Sequence, residues 1–401
     1  MLIVQKFGGS SVANAEKIRR VAGIIADTYC DNNDVVVILS AQGDTTDELL
    51  EKAAEINPNP SKRELDVLLS TGEQVSVALM SMALEKMGLP VVSLTGWQVQ
   101  LSTNFEYGNA RIRSVSTERI RQELDKRRIV IFTGFQGVNG TGDITTLGRG
   151  GSDTSAVAVA AALHADKCQI YTDVDGVYTA DPRKVKGAKK LEEITYDEMM
   201  ELASLGAQVL HNRSVEMAKR YGVDLEVLSS YERKPGTKVK EVVKAVEQMK
   251  ISGIAKDNNV ARIAVVGVPD QPGIAFKLFR ILANSKINVD IILQSIDRNG
   301  TNDISFTVSE DDYEKSMALV EERKDSIGYK DLYGEKKVAK VSIVGAGMLS
   351  SSGIASTMFE ALSDAKINIQ MISTSEIKVS VLIDECNADK AVQVIHNKFF
   401  D

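Results

Sequence analysis

The sequence predicts an α/β protein in which a mostly parallel sheet is followed by two copies of a smaller α/β unit. Short β-branched runs alternate with helical patterns through the first part of the chain, which is typical of a parallel sheet covered on both faces. The C-terminal part repeats its own sequence at a constant offset. Such self-similarity indicates a duplicated structural unit.

Six apolar runs are candidate strands of the parallel sheet. They are Leu2–Val4, Val35–Leu39, Val91–Leu94, Ile129–Phe132, Gln169–Thr172 and Leu225–Leu228. Helices are expected to begin at the capping boxes Ser61-x-x-Glu64 and Thr195-x-x-Glu198, because the paired hydroxyl and carboxylate satisfy the first backbone N–H groups. An α/β domain is therefore predicted over residues 1–232.

A connector to the second module is predicted at residues 233–250. Pro235-Gly236-Thr237 indicates a turn, and the lysine-, glutamate- and valine-rich run after it is typical of a helix.

The C-terminal repeat is carried by identities such as Phe279, Leu282 and Asn288, which recur as Phe359, Leu362 and Asn368. Each copy has the pattern strand, helix, strand, strand, helix, as in a ferredoxin-like βαββαβ unit. In the first copy these elements are Ala261–Val268, Gly273–Asn284, Val289–Ser295, Ile304–Val308 and Asp311–Arg323. The second copy has no closing strand, so Ile251–Ala255 is predicted to complete it. The two units are then 257–333, and 251–256 plus 334–401.

Composition restricts the function. A net charge of −7 argues against a nucleic-acid partner. The longest apolar runs are too short to span a bilayer, and the N-terminus leaves no room for a signal peptide. The three cysteines show neither disulfide nor zinc-ligand spacing. We expect a cytoplasmic protein with no membrane partner.

Two glycine-rich segments indicate a site for an oxyanion such as phosphate. Lys6-Phe7-Gly8-Gly9-Ser10-Ser11 follows the first strand, and Gly148-Arg149-Gly150-Gly151-Ser152-Asp153-Thr154 precedes an apolar helix. Glycines let backbone N–H groups approach the ligand, while a lysine and a helix start supply positive charge. The alternatives are that Lys6 is a solvated lysine beside a tight turn, and that Ser152 and Asp153 merely cap the helix Thr154–Leu163. Arg149 suits a carboxylate substrate.

Two further segments admit two interpretations each. Glu73 interrupts an apolar helical run, where its carboxylate is either exposed or bound to a cation such as a substrate amine. The stretch from Thr172 to Arg183 follows a strand and forms either ordinary turns or a nucleotide-binding loop. His211 lies in a helical segment from which it could approach the site. The sequence offers no obvious general base, which fits a carboxylate acceptor that is already ionised at neutral pH.

These segments resemble those of aspartokinases, which use ATP to phosphorylate the side-chain carboxylate of L-aspartate. Ser40 to Thr46, Thr71-Gly72-Glu73 and Phe135-Gln136-Gly137 belong to the same resemblance, which covers essentially the whole chain. It implies an amino-acid kinase (carbamate-kinase-like) three-layer α/β/α domain followed by two ACT domains. It also implies ATP as cofactor, Mg²⁺ held mainly by the phosphates, and 4-phospho-L-aspartate as product. That product would begin the route to lysine, threonine and methionine.

The resemblance implies a role for each site residue. Lys6 and Asp153 would be catalytic, with Lys6 stabilising the transferring phosphoryl group. ATP would contact Lys6, Phe7, Gly8, Gly9, Ser10, Thr172, Asp173, Tyr178, Asp181 and Arg183. Aspartate would contact Thr46, Glu73, Arg149, Gly150, Gly151 and Ser152. Many relatives carry lysine where this chain has Gln208, so Gln208 is left out of the site.

ACT pairs imply feedback inhibition by lysine, threonine or both. The effector would contact Asp270, Gly273, Ile274, Ala275, Gln294, Asn368 and Ile369. The second copy has Met348 to Ser352 where the first has an Asp-Gln-Pro turn, so the copies are expected to differ in binding. A homodimer or higher assembly through the ACT units is expected. The alternatives are another amino-acid kinase, acting on glutamate, acetylglutamate or UMP, and a catalytically silent amino-acid sensor.

Overall fold

The computed structural model describes residues 1–205, 209–243, 251–295, 300–349 and 352–400. These residues form two compact units. The first unit contains Met1–Tyr178, Lys190–Ser204 and residues 209–243. The second contains Thr179–Lys189, residue 205 and the described residues from 251 onward.

The first unit is an α/β structure. Its strands are β1 (Leu2–Phe7), β2 (Asp34–Leu39), β3 (Val91–Leu94), β4 (Leu101–Thr103), β5 (Ile112–Val115), β6 (Ile129–Thr133), β7 (Gln136–Val138), β8 (Ile144–Thr146), β9 (Lys167–Thr172), β10 (Glu193–Thr195), β11 (Leu225–Ser229) and β12 (Thr237–Lys240). Its helices are α1 (Ala15–Cys30), α2 (Thr45–Ile56), α3 (Lys62–Lys86), α4 (Glu118–Leu124), α5 (Gly151–Leu163), α6 (Tyr196–Ser204) and α7 (Asn212–Tyr221).

An eight-stranded sheet forms the centre of this unit, in the order β10-β12-β11-β9-β1-β2-β6-β3. Every neighbouring pair is parallel except β11 with β12. The predicted mostly parallel sheet is therefore confirmed, and all six predicted strands are present. Because β1 lies between β2 and β9, the loops that follow these three strands meet at one edge of the sheet, where open α/β folds bind ligands. A small second sheet has the order β5-β4-β7-β8.

The prediction of a helix after Pro235 is wrong for the first residues, because Thr237–Lys240 forms strand β12. Thr237 and Val239 are fully buried and the two lysines point outward, which is the period-two pattern of a strand. The Thr237 hydroxyl donates to the Leu191 carbonyl at 2.6 Å and fixes the strand in place. The later part of the predicted connector, residues 244–250, lies outside the described residues.

Helix α3 is long and apolar enough, by length and composition alone, to cross a membrane. In the structure one face of this helix is buried. Its apolar face, which includes Val77, Met80 and Leu84, packs into the core formed with the central sheet. Its N-terminus carries the predicted cap, since the Ser61 side chain accepts a hydrogen bond from the Glu64 N–H.

The second unit contains the repeated elements. Its strands are β13 (Gly253–Pro269), β14 (Ile292–Gln294), β15 (Thr301–Val308), β16 (Asp331–Val344), β17 (Met371–Thr374) and β18 (Lys378–Asp384). Its helices are α8 (Ile274–Asn284), α9 (Tyr313–Glu321), α10 (Lys324–Ile327), α11 (Ile354–Asp364) and α12 (Ala388–Phe400).

Strand β13 is shared by the two repeats in a six-stranded sheet of order β14-β15-β13-β16-β18-β17. Its C-terminal half, from Ala261, pairs with β15 of the first copy. Its N-terminal residues Gly253–Asp257 pair with Val344–Lys340 of the second copy. The segment predicted at Ile251–Ala255 thus contributes its strand residues to the second copy. The domain bounds inferred from the sequence stay predictions.

Candidate active site

An ion pair joins the two glycine-rich segments. The Lys6 Nζ lies 2.6 Å from the Asp153 Oδ1, and both side chains are only 12% exposed. Lys6 comes from the central strand β1, and Asp153 comes from the first turn of α5. The pair therefore places an ammonium group beside the start of a helix, where an anion is favoured.

The turn after β1 is packed too closely for a side chain at Gly9. A Cβ on Gly9 would lie 2.5 Å from the Ala41 carbonyl oxygen, and the Gly43 N–H donates to the Gly9 carbonyl at 3.0 Å. A Cβ on Gly8 would lie 3.5 Å from the Lys6 Nζ. The turn thus exposes main chain next to the ammonium group, as phosphate binding by backbone N–H groups requires.

The other two residues of this turn differ in position. Phe7 is fully buried and its ring stacks on Tyr171, with the centroids 4.5 Å apart. Its side chain therefore belongs to the core, and only its main chain is left for a ligand. Ser10 is exposed, and its carbonyl accepts a hydrogen bond from the Lys17 ammonium at 2.9 Å.

Helix α5 begins at Gly151, with Gly150 as its cap in the left-handed region at φ 67°. The expectation that Ser152 caps a helix beginning at Thr154 is therefore wrong, because the glycine cap lets the helix start three residues earlier. A Cβ on Gly150 would lie 2.2 Å from the His211 Cγ. His211 thus does reach the glycine-rich loop, and burial lowers the pKa of its imidazole.

The remaining substrate candidates differ in exposure and in their contacts. Ser152 is buried, and the Ser40 hydroxyl donates to its Oγ at 2.9 Å. Thr46 is half-buried in the first turn of α2. Arg149 is exposed, and in the part of the chain that the structure describes it has no ion-pair partner. Its guanidinium is therefore available to an anionic ligand.

Glu73 is buried on α3, with 3% of its surface exposed. Its Oε1 accepts from the Ala41 N–H at 3.1 Å, and its Oε2 accepts from the Gln136 amide at 3.4 Å. Burial raises the pKa of this carboxyl to about 7. The exposed-face interpretation is thus excluded, and the carboxyl lies where a cationic ligand would lower its pKa again.

The predicted nucleotide-binding residues fall in both units. Thr172 and Asp173 follow β9 in the first unit, and the Thr172 hydroxyl donates to the Asp173 carboxylate at 3.0 Å. Tyr178 ends the same stretch and donates to Asp175 at 2.7 Å, which raises the pKa of the phenol to about 12.

Asp181 and Arg183 belong to the second unit, in the segment Thr179–Lys189. They form a two-bond pair at 3.0 and 3.1 Å, and the guanidinium holds the pKa of Asp181 below its usual value. The structure brings these two residues together. Their role toward ATP stays a prediction.

The predicted effector residues form two groups in the second unit. Asp270 accepts from the Asn302 amide at 3.0 Å, and Gly273 caps α8 at φ 92°, just before Ile274 and Ala275. Gln294 ends the edge strand β14, whereas Asn368 and Ile369 precede the opposite edge strand β17. Six strands at a spacing of about 4.8 Å separate these edges by about 24 Å, so Gln294 and Asn368 cannot contact one effector within one chain.

Gln208 and a possible metal site are the remaining features to be located. Gln208 lies outside the described residues. Within the described ranges the chain has no group of three or more His, Cys, Asp or Glu side chains placed to hold a metal ion.

Four polar residues near the site were missed or given little weight. His211 and Ser40 lie against the loop and the helix start. Asp66 and Arg213 hydrogen-bond to the main chain just before the loop and to the adjoining segment at residues 108–110. Their contacts are between residues far apart in the chain. The only local signal was the position of Asp66 seven residues before Glu73, which places both on one face of a helix.

Comparison with known proteins identifies the family. Residues 1–229 match the amino acid kinase family, and residues 263–323 and 341–399 match an ACT domain. An aspartokinase of Bacillus sp. (strain MGA3) is 50% identical over 398 residues, which cover 99% of this chain and 97% of that protein. The chain belongs to the aspartokinase family. The predicted family and enzyme class are thus confirmed.

Solved aspartokinase structures show the same fold. E. coli aspartokinase III in complex with aspartate and ADP, described as the R-state, has a TM-score of 0.84 at 26% identity. The same enzyme in complex with lysine and aspartate, described as the T-state, has a TM-score of 0.78 at 27% identity. Each alignment covers 100% of both chains. The predicted aspartokinase architecture, a kinase domain followed by ACT domains, is confirmed.

Proposed function

We propose that this chain transfers the γ-phosphoryl group of ATP to the side-chain carboxylate of L-aspartate, giving 4-phospho-L-aspartate and ADP. The observation that carries the proposal is the Lys6–Asp153 ion pair between two glycine-rich segments. The E. coli relative that holds aspartate and ADP supports both the acceptor and the nucleotide.

The reaction needs charge neutralisation and positioning rather than a base. A carboxylate oxygen of aspartate attacks the γ-phosphorus while the bond to the β-bridging oxygen breaks, and that oxygen leaves with the electron pair as ADP. The acceptor is ionised at neutral pH, so no proton has to be removed. Lys6 stabilises charge on the transferring group, and Asp153 keeps the ammonium group oriented. Mg²⁺ would be bound mainly by the phosphates of ATP.

The acceptor is held at both ends. Glu73 is buried and accepts a hydrogen bond from the Ala41 N–H, and its carboxylate takes the ammonium group of aspartate. Arg149 and Ser152 take a carboxylate, since an exposed guanidinium next to a helix start gives two kinds of donor for one anion. Thr46 lines the same pocket.

The assay is formation of aspartyl hydroxamate with ATP, Mg²⁺ and hydroxylamine, with glutamate as the competing acceptor. Lys6→Ala and Asp153→Ala should each abolish turnover while leaving the protein folded. Lys219→Ala is the matched control, because Lys219 forms a 2.7 Å ion pair with Asp197 elsewhere in the same unit. Near-normal turnover in either site variant, or a preference for glutamate, contradicts the proposal.

The ACT repeats bind lysine, threonine or both as feedback inhibitors of the first step toward these amino acids. The E. coli relative in complex with lysine supports this assignment. Asp270 and Gly273 form the site of the first copy, where a carboxylate and a helix start suit the amine and carboxylate of an amino acid. The setting is the cytoplasm, and the chain assembles as a homodimer or larger through its ACT units. Titration of lysine and threonine, singly and together, tests the effectors, and light scattering tests the assembly.

A further inference from the structure

We propose that Asp66 and Arg213 are positioning residues that set the distance between the two ends of the acceptor site and so favour aspartate over longer acceptors. The proposal rests on the proposed function, because Arg149 and Glu73 are the two ends. It concerns the main chain around residues 108–110 and 146–148, which we call the ledge. Arg149 follows the ledge directly.

The ledge consists of two chain segments held side by side. The Ala110 N–H donates to the Thr146 carbonyl at 2.8 Å. A Cβ on Gly148 would lie 3.1 Å from the Gly108 carbonyl oxygen, so the two segments stay in close contact up to the start of the Arg149 loop.

Asp66 bridges the ledge from α3. Its Oδ2 accepts from the Gly108 N–H at 3.0 Å and from the Thr146 N–H at 2.9 Å, while its Oδ1 accepts from the Thr146 hydroxyl at 2.7 Å. The side chain is only 1% exposed. A buried carboxylate that makes three hydrogen bonds across two segments fixes their relative position.

Arg213 bridges the same two segments from α7. Its guanidinium donates to the Leu147 carbonyl at 2.8 Å and to the Ala110 carbonyl at 2.5 Å. Asp66 therefore accepts hydrogen bonds from N–H groups of both segments, and Arg213 donates hydrogen bonds to carbonyls of both. The planar guanidinium binds the two oxygens in a geometry that a lysine cannot reproduce.

Helix α3 links the ledge to the other end of the acceptor. Asp66 and Glu73 are seven residues apart, so they lie on one face of the same helix. A rigid helix thus sets the spacing between the carboxyl proposed to bind the ammonium group and the loop that carries Arg149. Glutamate is longer than aspartate by one methylene, a difference that a fixed pocket can discriminate by about 10- to 200-fold.

The test measures KM for aspartate, KM for ATP and the aspartate-to-glutamate ratio of kcat/KM in the full-length protein. Asp66→Ala and Arg213→Ala should raise the aspartate KM by about tenfold or more, because displacement of a binding group by about 1 Å is costly. KM for ATP should stay within about twofold, and the preference for aspartate should fall. Asp66→Asn should restore wild-type behaviour, because an amide oxygen can accept both N–H bonds and its NH₂ can donate to the Thr146 hydroxyl.

Glu123→Ala is the matched control. Glu123 is another buried carboxylate of the first unit, 3% exposed, and it pairs with Arg119, Lys126 and Arg128. Its loss should lower stability without changing the acceptor preference. If Asp66→Ala does not fold, Arg213→Ala gives the same comparison without a buried carboxylate being removed.

The proposal is overturned if the folded variants keep the wild-type aspartate KM, if the ATP KM rises in parallel, or if Asp66→Asn is as impaired as Asp66→Ala. A wild-type protein that does not phosphorylate aspartate refutes the proposed function instead. The two failures are therefore distinguishable.

Discussion

Glu73 makes the affinity for aspartate depend on pH. Burial raises the pKa of its carboxyl to about 7, and only the ionised form attracts the ammonium group of the substrate. With that pKa about ten in eleven molecules are ionised at pH 8 and about one in eleven at pH 6. We therefore expect the aspartate KM to rise about tenfold between pH 8 and pH 6, equivalent to about 1.4 kcal/mol.

Two measurements check this expectation. Initial rates as a function of pH should show the rise in KM for aspartate, with little change in KM for ATP. Calorimetric titration with aspartate at pH 7, in buffers of different ionisation enthalpy, should show release of about half a proton, because binding ionises the carboxyl. A flat KM profile over this range together with no proton release would refute the assignment of Glu73.

Glu73→Gln separates binding from stability. The variant should bind aspartate weakly at every pH, because the amide carries no charge. Its folded state should be at least as stable, since the raised pKa of Glu73 means that the folded protein favours the neutral carboxyl. The pKa of Glu73 is higher in the folded state than in the unfolded state. Raising the pH from 4.5 to 7 should therefore lower the free energy of unfolding of the wild type by up to about 3 kcal/mol, whereas the variant should show no such loss. Chemical denaturation at pH 5 and pH 8 measures this difference.

Three further predictions concern the loop, the sheet edge and the effector site. Gly150→Ala should lower the free energy of unfolding by about 1–2 kcal/mol for the left-handed backbone alone. His211→Gly should partly rescue it, because the His211 Cγ and Cβ would lie 2.2 and 2.3 Å from the new Cβ and both are then removed. Thermal unfolding of the single and double variants tests this, and no rescue argues against the contact. Thr237→Val should lower the free energy of unfolding by about 1–3 kcal/mol for each buried group left unpaired, and these groups are the Val177 N–H and the Leu191 carbonyl. Urea unfolding measures the loss, and Thr237→Ser, which keeps the hydroxyl, is the control. Asp270→Ala should abolish inhibition by lysine or threonine without changing the aspartate KM, whereas Asp325→Ala on α10 should retain it; unchanged inhibition in Asp270→Ala would place the effector elsewhere.

The sequence was sufficient for six of the eight strands of the central sheet, because the signals of those strands are local. Strands such as β2 and β6 are short runs rich in β-branched residues, which are typical of a parallel sheet buried on both faces. The helix after Pro235 failed for the opposite reason. Thr237 and Val239 alternate with lysines over four residues only, and this short pattern was outweighed by a composition typical of a helix.

The approach of Lys6 to Asp153 was predictable, because glycine and charge coincide in both of their segments. The start of α5 was not, because it depends on Gly150 adopting a left-handed conformation beneath the ring of His211. That ring comes from a helix more than fifty residues later in the chain. Asp66 was missed because no sequence motif marks its partners, which are two main-chain N–H groups and the Thr146 hydroxyl.

The segment Thr179–Lys189 shows why order along the chain is a poor guide to structural units here. It lies inside the range that matches the amino acid kinase family, yet Ala180 and Val185 are buried in the core of the second ACT copy. The Ile254 N–H donates to the Thr179 carbonyl at 2.7 Å, and the Thr179 hydroxyl lies 2.9 Å from the His396 Nε2. Exposing these apolar side chains to water, or breaking these hydrogen bonds, would cost free energy. Asp181 and Arg183, predicted to contact ATP, are therefore fixed by the fold of the second unit, and a cut after residue 243 would remove the core that orders them.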